Sequence, residues 1–234
     1  MSEKNTLKQE PVPFLENKHF IMIPKKYLTA QSISEDSYYV LIYSYLSFIR
    51  TDLHFVQFSL GNIIYDLLGF EEKKNKPKGT IQNIISTLNN LQRDGIIEMP
   101  KINDNEKMTT LIRAYFLNEI KPDGNYVKFY ADEFMAIQAL STNCFEKSSI
   151  NIPLLVYLYV KGNTFNGSSA CTQSAVSMAG VLGCGKTAMY SMLNLLFSKS
   201  ELYSPLLIKN RSFNGTGEHF ISYTLNDKFK RLKK

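Results

Sequence analysis

Residues Gly180–Thr187 carry the motif with the most definite chemistry in this sequence. Their sequence, GVLGCGKT, matches the pattern G-x-x-x-x-G-K-T, in which backbone N–H groups and a lysine hold the phosphates of a nucleotide. Such a loop needs a buried β-strand before its first glycine and a helix after its lysine. The preceding residues instead place apolar side chains at helical spacing: Ala175, Val176, Ala179 and Leu182.

The segment Ser174–Leu196 is therefore predicted to be a helix-turn-helix and not a phosphate loop. Gly183 permits a left-handed turn, and the second helix covers Lys186–Phe197. A nucleotide hydrolase also needs further βα units, and no apolar strand ending in aspartate follows Thr187. Nucleotide hydrolysis through Lys186 is the lowest-ranked of three functional hypotheses.

The second helix of this pair is predicted to bury Met189, Leu193 and Leu196. Its outward side chains are candidate contacts to the bases or phosphates of DNA: Lys186, Thr187, Tyr190, Ser191 and Asn194. Met189, Tyr190 and Met192 make this helix less polar than a typical DNA-contacting helix. A surface for a partner protein is therefore the alternative interpretation.

A helix predicted over Thr80–Arg93 has a more informative polar face. Its apolar residues follow a three-and-four spacing: Ile81, Ile84, Ile85, Leu88 and Leu91. The opposite face carries amides and hydroxyls, whereas an ordinary solvated face carries Glu and Lys. Amide side chains can pair with base edges in the major groove. The candidate base contacts are Thr80, Gln82, Asn83, Ser86 and Thr87.

Basic residues are in modest excess, with a formal net charge of +6 and a calculated pI of about 9.0, which is compatible with a polyanionic partner. Five of the last seven residues are basic, and a lysine cluster interrupts the first half. The candidate phosphate contacts are Lys73, Lys74, Lys76, Lys78, Lys101, Lys107, Lys209 and Arg211. Solvated charge runs are the alternative interpretation of the clusters.

No other residues form a pattern typical of catalysis or metal binding. The three cysteines are widely spaced, and the three histidines form no cluster. We therefore expect no enzymatic activity, no metal and no cofactor. The longest nearly apolar run, residues 38–49, is too short to cross a bilayer, and the N-terminus lacks an apolar signal core. A cytoplasmic protein without a membrane partner is expected.

The first half is predicted to contain two helices followed by a β-hairpin, the plan of a winged helix-turn-helix. The predicted elements are a strand at Phe20–Ile23, a helix at Tyr38–Ile49, a strand at Phe55–Phe58, a helix capped by Ser59 and ending at Leu68, the helix Thr80–Arg93, and strands at Ile96–Met99 and Met108–Leu117.

The same order of segments returns after residues 118–126. FIMIPKKYL (20–28) is echoed by VKFYADEFM (127–135), VLIYSYL (40–46) by LLVYLYV (154–160), IYDLLG (64–69) by MAGVLG (178–183), and STLNNL (86–91) by SMLNLL (191–196). Strands at Leu206–Lys209 and His219–Leu225, joined by a polar turn, complete the second half.

The predicted fold class is α+β, mainly α, with two tandem winged helix-turn-helix domains. The predicted division is a flexible N-terminal arm (1–18), a first domain (19–117), a linker (118–126), a second domain (127–227) and a basic C-terminal tail (228–234).

With these segments the sequence resembles the tandem winged-helix replication initiators of bacterial plasmids and phages. FIMIPKKYL, the tyrosine-rich helix, and LLGF…TIQNIISTLNNLQRDGIIE resemble the DnaD-like winged helix that opens RepA_N-type initiators of Gram-positive plasmids. This likeness covers about residues 20–117. The second half departs from that family and is closer in plan to initiators with two winged helices. The resemblance implies binding to double-stranded DNA and recruitment of replication proteins.

Two functional hypotheses rank above nucleotide hydrolysis. A replication initiator would bind repeated origin sites, whereas a transcriptional regulator would bind a palindromic operator as a homodimer. The residues do not distinguish between these two functions.

Overall fold

Each half of the protein is organised around one helix that is buried on nearly all sides. Ten of the eleven residues of α2 (Tyr39–Ile49) are buried, as its apolar sequence predicts, and the corresponding helix in the second half, α6 (Asn151–Thr164), is buried from Pro153 to Gly162. The computed structural model describes residues 19–68, 78–102, 107–120, 124–144, 151–164, 170–199, 203–213 and 219–226. The arm 1–18, the tail 228–234, and Lys73, Lys74 and Lys76 lie outside the described residues.

The first half has the predicted elements in the predicted order, with a 3-10 turn and a short helix that were not predicted between the first strand and the long helix. These are β1 (Phe20–Pro24), a 3-10 turn (Lys25–Leu28), α1 (Ala30–Glu35), α2, β2 (Phe55–Phe58), α3 (Leu60–Leu68), α4 (Lys78–Arg93), β3 (Ile97–Glu98) and β4 (Ile112–Phe116). The last strand begins later than predicted. The carbonyl of Met108 accepts a 2.9 Å hydrogen bond from the N–H of Gly61 at the start of α3, so Met108 caps a helix instead of extending the sheet.

The second half repeats this order. It contains β5 (Tyr126–Tyr130), α5 (Ala131–Cys144), α6, α7 (Ala175–Val181), α8 (Lys186–Leu196), β6 (Leu207–Phe213) and β7 (His219–Leu225). Serine caps the first helix of each helix pair: the Ser59 hydroxyl accepts from the N–H of Asn62, and the Ser174 hydroxyl accepts from that of Ser177, each at 3.1 Å.

The hairpin strands of the two halves are paired in equivalent ways. In the first half β4 lies between β2 and β3, and both pairings are antiparallel. In the second half β6 and β7 pair antiparallel, and Cys171 forms a single antiparallel bridge to Tyr223 in β7. Cys171 therefore takes the place that β2 has in the first half. The described fold is α+β.

The two halves meet through contacts between equivalent positions. β1 pairs antiparallel with β5, and the register places Met22 opposite Lys128 with two paired residues on each side. The first four positions of the two strands have the same burial. From the N-terminal end they are exposed, buried, half-buried and buried. A two-fold axis through the Met22–Lys128 pair would exchange the two strands.

A second contact satisfies the same axis. The side-chain amide of Asn151, at the start of α6, donates a 2.5 Å hydrogen bond to the carbonyl of Ser37, just before α2. Since LLVYLYV follows VLIYSYL at a separation of 114 residues, Ser37 and Asn151 are equivalent positions of the repeat. Helices α2 and α6 also pack against each other. Both contacts join equivalent positions of the repeat, as a pseudo-two-fold axis between the halves would require.

This register corrects the alignment of the repeats at their first strand. The sequence comparison aligns Phe20 with Val127, whereas the burial patterns of the two strands agree when Phe20 is aligned with Tyr126. The match from sequence is wrong by one residue, which would turn the buried face of one strand outward because side chains alternate.

Further contacts show that the two halves are interlocked. The carbonyl of Asp66 in α3 accepts a hydrogen bond from Gln138 in α5 at 2.5 Å, and Gly183 lies beside Ala30 of α1. The predicted boundary at residues 118–126 therefore divides the repeats, but β1, α1 and α5 each contact the opposite half.

Candidate nucleic-acid interface

Helix α4 presents a polar stripe along its outer surface. The predicted apolar residues Ile84, Ile85, Leu88 and Leu91 are buried and anchor its inner face. Exposed on the outer face are Gln82, Asn83, Ser86, Asn89 and Arg93, whereas Thr80 is half-buried. Gln82, Ser86, Asn89 and Arg93 follow the spacing i, i+4, i+7 and i+11, so their side chains form a nearly straight row. The row contains no carboxylate.

The prediction that Thr87 contacts bases is wrong. Its side chain is fully buried, and its hydroxyl donates a 2.6 Å hydrogen bond to Oδ1 of Asp36. The side-chain amide of Asn90 donates to Oδ2 of the same carboxylate at 2.7 Å. One carboxylate therefore holds α4 against the segment that precedes α2.

The C-terminal half of α4 borders an acidic cleft of about 460 Å³. Glu35, Asp36 and Asp94 contribute carboxylates to its walls, and Arg93 is the cation beside them. The hydroxyl of Tyr39 donates to Asp94 at 2.8 Å, and burial, with a smaller contribution from Asp94, raises the pKa of this tyrosine. Because carboxylates repel phosphates, a DNA backbone would approach α4 at its N-terminal half.

Helix α8 is the equivalent element of the second half, and most of its predicted polar face is exposed. Lys186, Thr187, Tyr190 and Asn194 are exposed, whereas Ser191 is half-buried. The inner face is buried, as predicted, through Met189, Leu193 and Leu196, together with Met192 and Leu195. Tyr190 is 53 % exposed, so its ring is available for contact.

Four of the predicted phosphate contacts are exposed outside the helices. Lys209 and Arg211 alternate along β6, and Lys101 and Lys107 lie between β3 and β4. The backbone of Lys78 begins α4, but its side chain lies outside the described residues. The described side chains of the cations predicted to contact DNA therefore belong to the two hairpins and to the start of α8.

Two exposed residues of the α4 row, Asn89 and Arg93, are not among the predicted DNA contacts. The sequence signal that could have identified them is their spacing, since positions 89 and 93 continue the helical spacing of Gln82 and Ser86. This continuation is visible only when all residues of the helix are placed on a helical projection.

The segment Gly180–Thr187 bends between two helices, as predicted. Gly180 lies inside α7, Gly183 has a left-handed φ of +64°, and Lys186 begins α8. Every strand pairing among the described residues is antiparallel, and the residues preceding Gly180 are helical. The strand that a phosphate loop needs is therefore replaced by a helix.

Within the described ranges, no three His, Cys, Asp or Glu side chains gather as a metal site. No described helix combines the length and hydrophobicity that crossing a bilayer demands. The chain matches no protein-family model, no characterised protein and no solved structure.

Proposed function

We propose that this protein binds double-stranded DNA in a sequence-specific manner and that its two halves are winged helix-turn-helix units. The observation that carries the proposal is the exposed outer face of α4, where Gln82, Asn83, Ser86 and Asn89 present amides and a hydroxyl without a carboxylate among them. Amides on such a face can form bidentate hydrogen bonds with adenine in the major groove.

The proposed unit consists of a buried first helix, a helix pair and a hairpin. In each half the second helix of the pair, α4 or α8, enters a major groove, and the hairpin lies against the backbone as the wing. Lys101, Lys107, Lys209 and Arg211 neutralise phosphates, while the helices contact bases. Exposure of these cations on the hairpins supports this division of roles.

The internal axis extends the proposal to the arrangement of the DNA site. The contacts between equivalent positions are those that a pseudo-two-fold axis would produce, and such an axis would also exchange α4 and α8. A homodimeric helix-turn-helix protein presents its two helices to DNA in this way. One chain would therefore bind two inverted half-sites without a second copy.

Replication initiation at a plasmid or phage origin is the biological role we propose, with replication proteins as partners. Several copies of the complete two-part site, arranged in the same orientation at an origin, would support this role. A regulator that acts as a homodimer is the second candidate, and a single operator contacted by two chains would support it.

The salt dependence of DNA affinity tests the proposal. If about six cations contact phosphates, the logarithm of the association constant should fall against the logarithm of salt concentration with a slope on the order of −5. Lys209→Gln and Arg211→Gln should each reduce the magnitude of that slope by about one. Lys128→Gln, on the ribbon formed by β1 and β5, is the matched control and should leave it unchanged. A flat salt response in fluorescence anisotropy would contradict duplex binding through these cations.

A further inference from the structure

An apolar cavity of about 280 Å³ lies where the two halves meet. Three segments line it: the end of α1 and start of α2, the start of α6, and the turn between α7 and α8. The side chains that give the cavity its apolar character are Ile33, Tyr38, Ile152, Leu155, Leu182 and Cys184.

The polar groups among the described residues of the cavity are few and uncharged. Ser37 and Asn151 lie together at one side, where the asparagine amide donates to the serine carbonyl. Burial raises the pKa of the Cys184 thiol, which keeps this wall neutral at physiological pH. Among the described residues that line the space there is no lysine, arginine, aspartate or glutamate. These residues offer no counter-charge to a charged ligand.

We propose that this cavity is a binding site for an uncharged, mostly apolar small molecule that touches both halves of the chain. A cavity of about 150 Å³ accepts benzene, so this one accommodates a molecule of roughly two rings. Apolar lining with polar groups confined to one side is the usual construction of a small-molecule site.

Because of the position of the cavity, a bound ligand would affect the placement of α8. Leu182, Gly183 and Cys184 form the turn that leads into this helix, and Ile33 belongs to the helix that packs on the turn from the opposite half. An occupant would set the placement of α8 relative to the first half. This coupling to DNA rests on the proposed function, whereas binding to the cavity does not.

The test uses the neutral fluorescent probe N-phenyl-1-naphthylamine with the full chain in the absence of DNA. Saturable fluorescence with one probe per chain is expected. Cys184→Phe fills the cavity and should weaken probe affinity about tenfold. Val176→Phe adds the same ring to the exposed side of α7 and should leave affinity unchanged. Fluorescence that does not saturate, or equal affinity in a folded Cys184→Phe protein, would overturn the site.

Alkylation of the wild-type protein provides a second test if Cys184→Phe does not fold. With the probe at about four times its Kd, the reaction of Cys184 with iodoacetamide should slow about fivefold by mass action. An unchanged rate, followed by peptide mass spectrometry, would overturn the proposal. Probe binding without any DNA affinity would instead leave the site intact and remove the proposed function.

Discussion

The hydroxyl of Thr87 donates a 2.6 Å hydrogen bond to the carboxylate of Asp36, and 51 residues separate the two in the sequence. The same carboxylate accepts from Asn90 and from the backbone N–H of Tyr38. Asp36 therefore joins α4 to the start of α2, and the helix proposed to enter DNA is held at a defined position.

Replacing Thr87 by valine should lower stability without changing DNA preference. Valine keeps the shape of threonine but removes a donor to a partly buried carboxylate, at a cost of about 1–2 kcal/mol in the free energy of unfolding. Ser86→Ala, one residue earlier and exposed, should change stability by less than about 0.5 kcal/mol. Urea unfolding followed by circular dichroism measures both. A neutral Thr87→Val variant would mean that the Asp36 contact does not hold the helix.

Substitutions on the N-terminal half of α4 should reduce sequence discrimination. Gln82→Ala and Asn83→Ala each remove an exposed amide from the N-terminal half of the helix, and neither residue lines the acidic cleft. Each should reduce the difference in binding free energy between preferred and scrambled duplexes by about 1–3 kcal/mol. Competition binding measures this difference. Gln57→Ala, an exposed amide on β2, is the control, and an effect as large as that of Gln82→Ala would remove α4 from the interface.

A buried ion pair in the second half should be sensitive to the loss of one partner. Lys161 is 3 % exposed, and its ammonium donates to both oxygens of Glu133 at 2.6 and 2.8 Å. Burial lowers the pKa of Lys161, and the pairing with Glu133 opposes that shift. Glu133→Gln leaves the lysine charge unpaired and should cost roughly 3 kcal/mol of unfolding free energy.

Removing the lysine as well should recover much of that loss. The double variant Glu133→Gln with Lys161→Met contains no buried charge at this place, so chemical denaturation should find it more stable than Glu133→Gln alone. A double variant that is less stable than the single one would show that the charge pair itself is a net source of stability.

Asp66 should make stability depend on pH in the opposite sense to an ordinary salt-bridged carboxylate. Burial raises its pKa above 3.8, while the hydrogen bond from Tyr45, at 2.5 Å, opposes the shift. Because the folded-state pKa is the higher one, the unfolded chain ionises first as pH rises, and the folded state loses stability. Asp66→Asn removes this loss, so its stability relative to wild type should improve between about pH 4 and about pH 7.

Unfolding free energies at the two pH values measure this effect. Tyr45→Phe removes the hydrogen bond that lowers the pKa of Asp66, so it should enlarge the pH dependence. A stability difference between Asp66→Asn and wild type that stays constant, or that moves in favour of wild type at neutral pH, would contradict the assigned cause.

Helices α2, α4, α7 and α8 could be predicted because their information is local, whereas α1 and α5 are not among the predicted elements. Three-and-four spacing identifies α4, a nearly continuous apolar run identifies α2, and the left-handed glycine at Gly183 separates α7 from α8. These features depend on neighbouring residues, so the sequence contains them directly.

Contacts between distant segments could not be predicted in the same way. The partner of β1 is β5, about a hundred residues away, and its register depends on a buried face formed by both halves. Thr87 has the polar type and helical position of an outward residue, and only the placement of Asp36 against α4 makes it a buried donor. The bases that α4 and α8 would contact remain a prediction.

Selection of bound duplexes from a random DNA pool, combined with the stoichiometry of the selected complex, tests the central claim most directly. We predict a two-part site with inverted half-sites about one helical turn, or roughly 10 base pairs, apart, bound by one chain. A pool without an enriched sequence, or an inverted site that requires two chains, would contradict the claim that one chain presents both helices to DNA.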